Sequence, residues 1–324
     1  MRALVVTEHG PAIRDVPIPE LGPAEVRVRV RACALNRIDL TMAQGHKHGG
    51  AGGVGNVLGV EWAGEIDEVG ADVQGLTPGQ AVMGSGAGAF AEYAVADWGR
   101  VLPLPTDSLA LTQAATLPIA LQTMHDALVT NGGLEAGDSV LIQGASSGVG
   151  LMGLQIARLL GASLVAGTST NEVRRARLGE FGAELALDSS DPDWVAQIRQ
   201  ATDGKGVDLI IDQVSGPLIN ASMHAAAIRG RIVNVGRLGG NSADFNFDLH
   251  ALKRLSYIGV TFRTRNRYEV REITRRMRED LWPALAAGEL HLPVDREFPL
   301  QDAVAALDYM AENRHFGKIV LRTD

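Results

Sequence analysis

The stretch Ser139–Gly161, SVLIQGASSGVGLMGLQIARLLG, decides the reading of the fold. It opens on a short apolar run, Val140, Leu141 and Ile142, passes through a loop of small residues, and continues as a helical pattern. Leu151, Leu154, Ile156, Ala157 and Leu160 recur near a 3.6-residue period, and Gly161 supplies a stop. A strand that feeds through a glycine-rich turn into a helix N-terminus gathers several N–H groups and the positive end of the helix dipole at one spot. That spot favours a pyrophosphate. The stretch is therefore expected to hold a dinucleotide through Gly144, Ala145, Ser146, Ser147, Gly148, Val149 and Gly150.

The flanking pattern agrees. Short apolar runs at 163–167, 184–187, 207–211, 231–235 and 257–261 alternate mainly with helical patterns, one of them expected from Glu172 to Phe181. Such alternation implies an α/β unit with a doubly wound parallel sheet. The first third of the chain is β-rich instead. Val26, Val28 and Val30 alternate with Arg27, Arg29 and Arg31, a half-buried strand, and turn signals such as Thr77-Pro78-Gly79 separate further short runs. A compact antiparallel barrel or sandwich is expected there. The last sixty residues carry an arginine-rich amphipathic helix, a second helix at Gln301–Asn313 and a closing strand, KIVLR.

One segment competes for attention. Residues 45–55, GHKHGGAGGVG, contain a literal G-x-G-x-x-G at Gly50, Gly52 and Gly55. No strand pattern precedes it and no helix pattern follows, so the context that gives the motif its mechanism is missing. It is read as a mobile loop.

Composition narrows the class. With 324 residues the chain exceeds one comfortable core, and two domains are the default. Its 46% hydrophobic and 21% charged residues are ordinary for a globular protein. No uncharged apolar run of about 18 residues is present, so no membrane span is expected. The single cysteine, Cys33, excludes an intrachain disulfide and any multi-cysteine zinc site, and a cytoplasmic location is the simplest expectation. A net charge of −8 argues against nucleic acid as a partner. Arg263–Arg278 contains seven arginines, but Glu272–Arg276 and Arg275–Glu279 are spaced to pair on a solvated helix face.

The choice of dinucleotide rests on the strand after the turn. About 20 residues on, NAD-binding proteins carry a carboxylate that bonds the ribose diol. Here the strand ends in Gly167-Thr168-Ser169-Thr170, followed by Arg174 and Arg175. Hydroxyls do not repel a 2′-phosphate and an arginine can pair with it, which favours NADP(H) held by Thr168, Ser169 and Arg174. Ser169 and Glu172 also fit a helix-capping box, with the arginines as a solvated face. GASSGVG would suit a short-chain dehydrogenase too, with Gly144, Gly148 and Gly150 as its three glycines. Such a turn lies near the N-terminus in that family, and no tyrosine here has a lysine four residues later.

Taken together, ACALNRIDL at 32–40, LGVEWAGEIDEVG at 58–70, GAFAEYAV at 88–95, LPIALQTMHDAL at 117–128, the turn, and FGKIVL at 316–321 resemble the zinc-independent quinone oxidoreductase family of the medium-chain dehydrogenase/reductases. The resemblance implies a GroES-like β-rich catalytic domain split between residues 1–122 and 264–324. A Rossmann domain would occupy residues 123–263, with the active site in the cleft. It also implies a homodimer in which the last Rossmann strand pairs across a two-fold axis. Zinc-dependent members would have Cys at the position of Asn36, His at that of Val60 and a lobe of four further cysteines, so no metal is expected. Direct hydride transfer from NADPH to a quinone or an α,β-unsaturated carbonyl then follows as the expected reaction. An enoyl-thioester-type reductase is the alternative enzyme, and a cofactor-binding protein with a nucleic-acid or partner-binding role the alternative outside catalysis.

By the same resemblance Asn36 lies near the nicotinamide ribose or the substrate, and Thr123 contacts cofactor. Asn234, Phe262 and Arg263 belong to the expected cofactor set, Arg263 just after the last sheet strand. Thr41 stands where many relatives carry a proton-donating tyrosine, and it marks the second catalytic position. His125 is read as a packing or surface residue, because adjacent helical residues do not face one another.

Overall fold

In the computed structural model, which describes residues 1–323, the chain separates into two compact units. One is Met1–Ile119 together with the segment from Phe262 onward, and the other is Ala120–Thr261.

The second unit is built on a six-stranded parallel sheet. Its strands lie in the order Leu185–Leu187, Leu164–Thr168, Ser139–Gln143, Val207–Asp212, Ala226–Asn234, Ser256–Gly259. Every residue of Ser139–Gln143 is buried, as a central strand covered on both faces requires. The strand order reverses direction between Ser139–Gln143 and Val207–Asp212, and ligands of such sheets bind at the carboxyl ends flanking the reversal. The helix Gly148–Leu159 leaves the first of those ends directly.

The helix expected over 172–181 forms differently. Glu172–Arg175 is a single α-turn capped by Asn171, whose side chain accepts from the Arg174 N–H at 3.0 Å. Leu178–Phe181 then tightens to a 3₁₀ turn, which places the buried Leu178 and Phe181, three apart, on one side. Asn171, not Ser169, is therefore the cap. The strand expected at 231–235 begins earlier, at Ala226, and absorbs Arg229 (φ 66°) and Gly230 beside a register shift in its pairing.

The first unit contains a seven-stranded sheet. Six strands run Val294–Pro299, Lys318–Arg322, Glu25–Ala34, Glu61–Val69, Ala81–Ser85, Val101–Pro103, and Tyr93–Asp97 adds to Glu25–Ala34. Val26, Val28 and Val30 face the core with Trp62 and Phe90. Arg27 on the wet face pairs with Asp67 and Glu68, and Arg31 with Glu65. The arginine-rich helix is Arg267–Ala286, capped by Asn266 and Glu269. Both expected pairs, Glu272–Arg276 and Arg275–Glu279, form on it, and Arg271 makes a two-point ion pair with Asp97. The helix expected over 301–313 is Ala303–Ala311.

The glycine-rich segment 45–55 is a small hairpin rather than an open loop. Lys47–His48 pairs antiparallel with Ala51–Gly52. A β-carbon at Gly52 (φ +76°) would sit 2.6 Å from the His46 carbonyl oxygen, and one at Gly49 would lie 3.1 Å from that of Arg263. The glycines thus serve close backbone approach within a hairpin, a use that composition alone does not distinguish from a flexible loop.

Candidate active site

In the second unit, the turn after Ser139–Gln143 is held by an internal network of hydrogen bonds. Gly144 (φ +70°) donates to the Thr168 hydroxyl at 3.0 Å, and Ala145 donates to the Thr168 carbonyl at 2.8 Å. Thr168 is fully buried, and its own hydroxyl donates to Gln143 Oε1 at 2.7 Å. It pins the turn to the neighbouring strand, a structural use that the hydroxyl-for-carboxylate argument did not assign to it. Ser147 is the helix N-cap and accepts from Gly150 N–H at 3.0 Å. The N–H groups of Gly148 and Val149 find no acceptor among the described residues, as in the first turn of an α-helix generally. Gln213, at the end of the adjacent strand, donates to the Gln143 carbonyl at 3.1 Å and lies 3.2 Å from the Ser147 hydroxyl.

Beside the turn, Ser169 donates to the Ser146 hydroxyl at 3.0 Å, and the half-buried Arg174 lies in the α-turn that follows. Asn234 ends its strand 8% exposed and bonds the Ser215 hydroxyl. Asp212 fixes that loop by accepting from Val214 and Ser215 N–H at 2.9 and 2.8 Å, and burial pushes its carboxyl above the usual range. Thr123 is half-buried in the helix Pro118–His125, and His125 is fully buried, a packing residue.

In the first unit, Asn36 follows the strand Glu25–Ala34 and caps the helix Arg37–Ala43. Its backbone N–H donates to Asp39 Oδ2 at 2.7 Å. Its side-chain amide donates to Glu61 Oε1 at 2.8 Å and accepts from Lys318 Nζ at 2.9 Å. Glu61 also accepts from Ile119 N–H at 3.0 Å and is in contact with Lys318. Burial raises the Glu61 carboxyl against the opposing pull of Lys318, Ile119 and Asn36. Burial likewise pushes up the Cys33 thiol, helped by Asp39 and Glu61. Thr41 is exposed on the helix, Phe262 is half-buried and Arg263 exposed.

The domain models agree with this geometry. Residues 22–106 match an alcohol dehydrogenase GroES-like domain and residues 148–279 a zinc-binding dehydrogenase. The chain belongs to the medium-chain dehydrogenase/reductase superfamily. Among curated relatives of this dehydrogenase/reductase is the spectinabilin polyketide synthase system protein NorB of Streptomyces orinoci. It is 35% identical over 315 residues, which cover 94% of this chain and 14% of that protein. The chain thus spans a small fraction of the curated relatives it matches. Among solved structures, an NAD-dependent alcohol dehydrogenase aligns at 29% identity with a TM-score of 0.85, covering 100% of both chains. A quinone oxidoreductase of Pseudomonas syringae pv. Tomato aligns at 26% identity and a TM-score of 0.85, covering 99% of this chain and 100% of that one.

Two charged residues of this dehydrogenase/reductase escaped the sequence reading, Glu61 and Lys318, whereas Asp39, readable from the sequence as a cap of the helix that follows, accepts from Asn36 N–H at the start of that helix. The signal existed. Glu61 and Lys318 are charges inside apolar runs, VEWAG and FGKIVL, and a charge at such a position needs a partner.

Asp39 yields a pH prediction. It is fully buried, its Oδ1 has no hydrogen-bond partner among the described residues, and burial raises its pKa to about 7 against the pull of Asn36 N–H and Lys318. An unfolded aspartate titrates near ~3.9, so the folded state binds the extra proton between about pH 4 and 7. Its stabilising contribution is complete below the unfolded value and is lost as pH rises through 7, by about 4 kcal/mol at most. Asp39→Asn removes that slope. Melting curves of both proteins from pH 4.5 to 8 should show the variant gaining on the parent up to about pH 7 and levelling off beyond it. A constant difference across that range would mean that folding does not raise the Asp39 carboxyl above its unfolded value.

Proposed function

We propose that the chain acts as a zinc-free, NADPH-dependent reductase that places hydride on an electrophilic carbon of a quinone or an α,β-unsaturated carbonyl. The observation that carries this reading is the side chain of Asn36. At the position where zinc-dependent members have a cysteine ligand stands an amide already bonded to a carboxylate and an ammonium, with Val60 at the expected histidine position. Among the described residues no group of three His, Cys, Asp or Glu is placed to hold a metal ion. That donor set does not suit Lewis-acid activation of an alcohol.

The residues at the glycine turn fit a dinucleotide. A β-carbon at Gly150 would lie 2.6–2.7 Å from the Ala145 and Gly144 backbone, so the helix start is packed tightly against the turn. The N–H groups of Gly148 and Val149 would bind the pyrophosphate, and Ser146, Ser169 and Arg174 the 2′-phosphate end. When bound there, NADPH would supply a hydride to the acceptor. Asn36 orients the reacting groups, and Thr123, Asn234, Phe262 and Arg263 complete the cofactor contacts on this reading. When hydride reaches the electrophilic carbon, the displaced electron pair moves to the carbonyl oxygen. The resulting enolate is stable enough to take its proton from water, and a quinone adduct then becomes the hydroquinone as a ring proton passes through solvent to the second oxygen, which suits a site with Thr41 in place of an acidic side chain.

Arg174→Ala should weaken NADPH binding about tenfold or more while NADH changes little, since only the former has a phosphate for the guanidinium to pair with. Fluorescence titration of both cofactors measures this, and equal losses would overturn the NADP assignment. A panel of quinones, enones and enoyl thioesters tests the acceptor. The likeness to a polyketide synthase protein favours the thioester as the second reading. NADPH binding without reduction of any of them would leave a cofactor-binding protein with a partner-binding role.

A homodimer and a cytoplasmic location belong to the same proposal. Ser256–Gly259 is the outer strand of the six-stranded sheet, with Tyr257 42% exposed, so its free edge can pair with a second copy. No helix among the described residues is long and apolar enough to cross a membrane.

A further inference from the structure

Lys318 and Glu61 form a buried ion pair whose position, at the end of three neighbouring strands, has a purpose beyond packing. Lys318–Arg322 and Glu61–Val69 flank Glu25–Ala34 on either side, and Asn36 emerges where that middle strand ends. Lys318 is 3% exposed and Glu61 0%. Removing two charges from water is costly, and a hydrophobic pair of similar volume is often as stable or more so. What this pair does that an apolar pair would not is fix the Asn36 amide. Lys318 Nζ meets Asn36 Oδ1 at 2.9 Å, and Asn36 Nδ2 meets Glu61 Oε1 at 2.8 Å, with the Ala34 carbonyl oxygen 3.4 Å away. Turning the amide over would set its NH₂ against the ammonium and its oxygen against the carboxylate. Both contacts would become repulsive.

We infer that Lys318 and Glu61 are positioning residues that clamp Asn36 in one amide orientation for hydride transfer. The inference rests on the reductase reading above and on Asn36 facing bound ligand within it. Both Nδ2 hydrogens have acceptors inside the protein, so Asn36 has no donor to spare and meets a ligand through Oδ1. Asn36 is thereby committed as an acceptor, polarised from behind by the Lys318 ammonium. Its ligand partner is a donor, a hydroxyl or an amide NH₂. The carbonyl oxygen that gathers charge during reduction is not its partner.

The test is a double-mutant cycle read in steady-state reduction of a quinone and an enone by NADPH. Asn36→Ala is combined with Glu61→Gln/Lys318→Met, which removes both charges at nearly constant volume. Each change alone should lower kcat/KM about tenfold to a hundredfold, mainly in kcat, with melting curves confirming a folded protein. Adding Asn36→Ala to the charge-free pair should cost less than about twofold more, because an unclamped Asn36 is already misplaced. Costs that multiply would overturn the clamp while leaving the reductase reading intact. If Asn36→Ala has no cost, the role given to Asn36 falls, and the clamp with it. If the parent reduces neither acceptor, the reductase reading itself falls, and so does the clamp. Should the charge-free pair melt below the assay temperature, the same cycle with Glu61→Gln alone decides. That variant keeps Lys318 on Oδ1 but lets the group facing Nδ2 turn, and coupling to Asn36→Ala is again expected.

Discussion

Gly150→Val should abolish useful cofactor binding, with affinity for NADPH falling about a hundredfold or more. The reason is local and steric. Even the first carbon of a side chain would approach the Ala145 Cα to 2.6 Å and the carbonyl oxygens of Ala145 and Gly144 to 2.7 Å. These are backbone atoms held by Thr168 through two hydrogen bonds, so they cannot swing aside as a flexible side chain would. The helix must retreat instead, which breaks the Ser147 cap to Gly150 and moves the N–H groups of Gly148 and Val149 off their target. Gly179→Ala is the control, since a β-carbon there meets nothing within 4 Å. Fluorescence titration with NADPH, alongside melting curves, separates lost binding from lost folding. A Gly150→Val protein that binds NADPH like the parent would sink the assignment of this turn.

Lys318→Met, with Glu61 kept, should destabilise the protein by about 3–5 kcal/mol. Glu61 would then be a carboxylate at 0% exposure with only neutral donors, Ile119 N–H and the Asn36 amide. It must either remain charged in a poorly solvating interior or take up a proton on folding. Adding Glu61→Gln removes that conflict and should recover most of the loss, although a variant with two substitutions has departed further from the native chain. Urea unfolding at neutral pH measures both proteins. Equal destabilisation of the single and double variants would mean that the cost comes from packing and not from the stranded charge.

The fold was legible where chemistry is local. The strand–turn–helix at Ser139–Gly161 needs only neighbouring residues to declare itself, and its context separates it from the better literal glycine match at Gly50, Gly52 and Gly55. The alternation of valine and arginine in Glu25–Arg31 likewise reports one face buried and one paired, as found. Legibility fell off where a residue's role depends on distant chain. Thr168 looks like a ligand-facing hydroxyl when read along its strand, but the parallel neighbour brings Gln143 and Gly144 to it and buries it. Helix length at 172–181 failed for a related reason. The positions of Leu178 and Phe181 suit either helical period, and packing chose the tighter one. The Asn36 surroundings were the least readable, since their partners are separated by most of the chain.

That separation has a consequence for how the protein is made. Lys318 follows Glu61 by 257 residues, and the strand carrying it lies between Val294–Pro299 and Glu25–Ala34. Ribosomes add about 5–20 residues per second, so the Glu61 side chain waits roughly ten to fifty seconds for its counter-charge to be synthesised. During that interval the β-rich unit lacks an interior strand and holds an unmatched carboxylate at its centre. The parallel-sheet unit, whose strands all lie between Ser139 and Gly259, has by then been translated in full. The order of synthesis therefore lets the parallel-sheet unit mature first, while the β-rich unit stays unfinished until Lys318–Arg322 arrives.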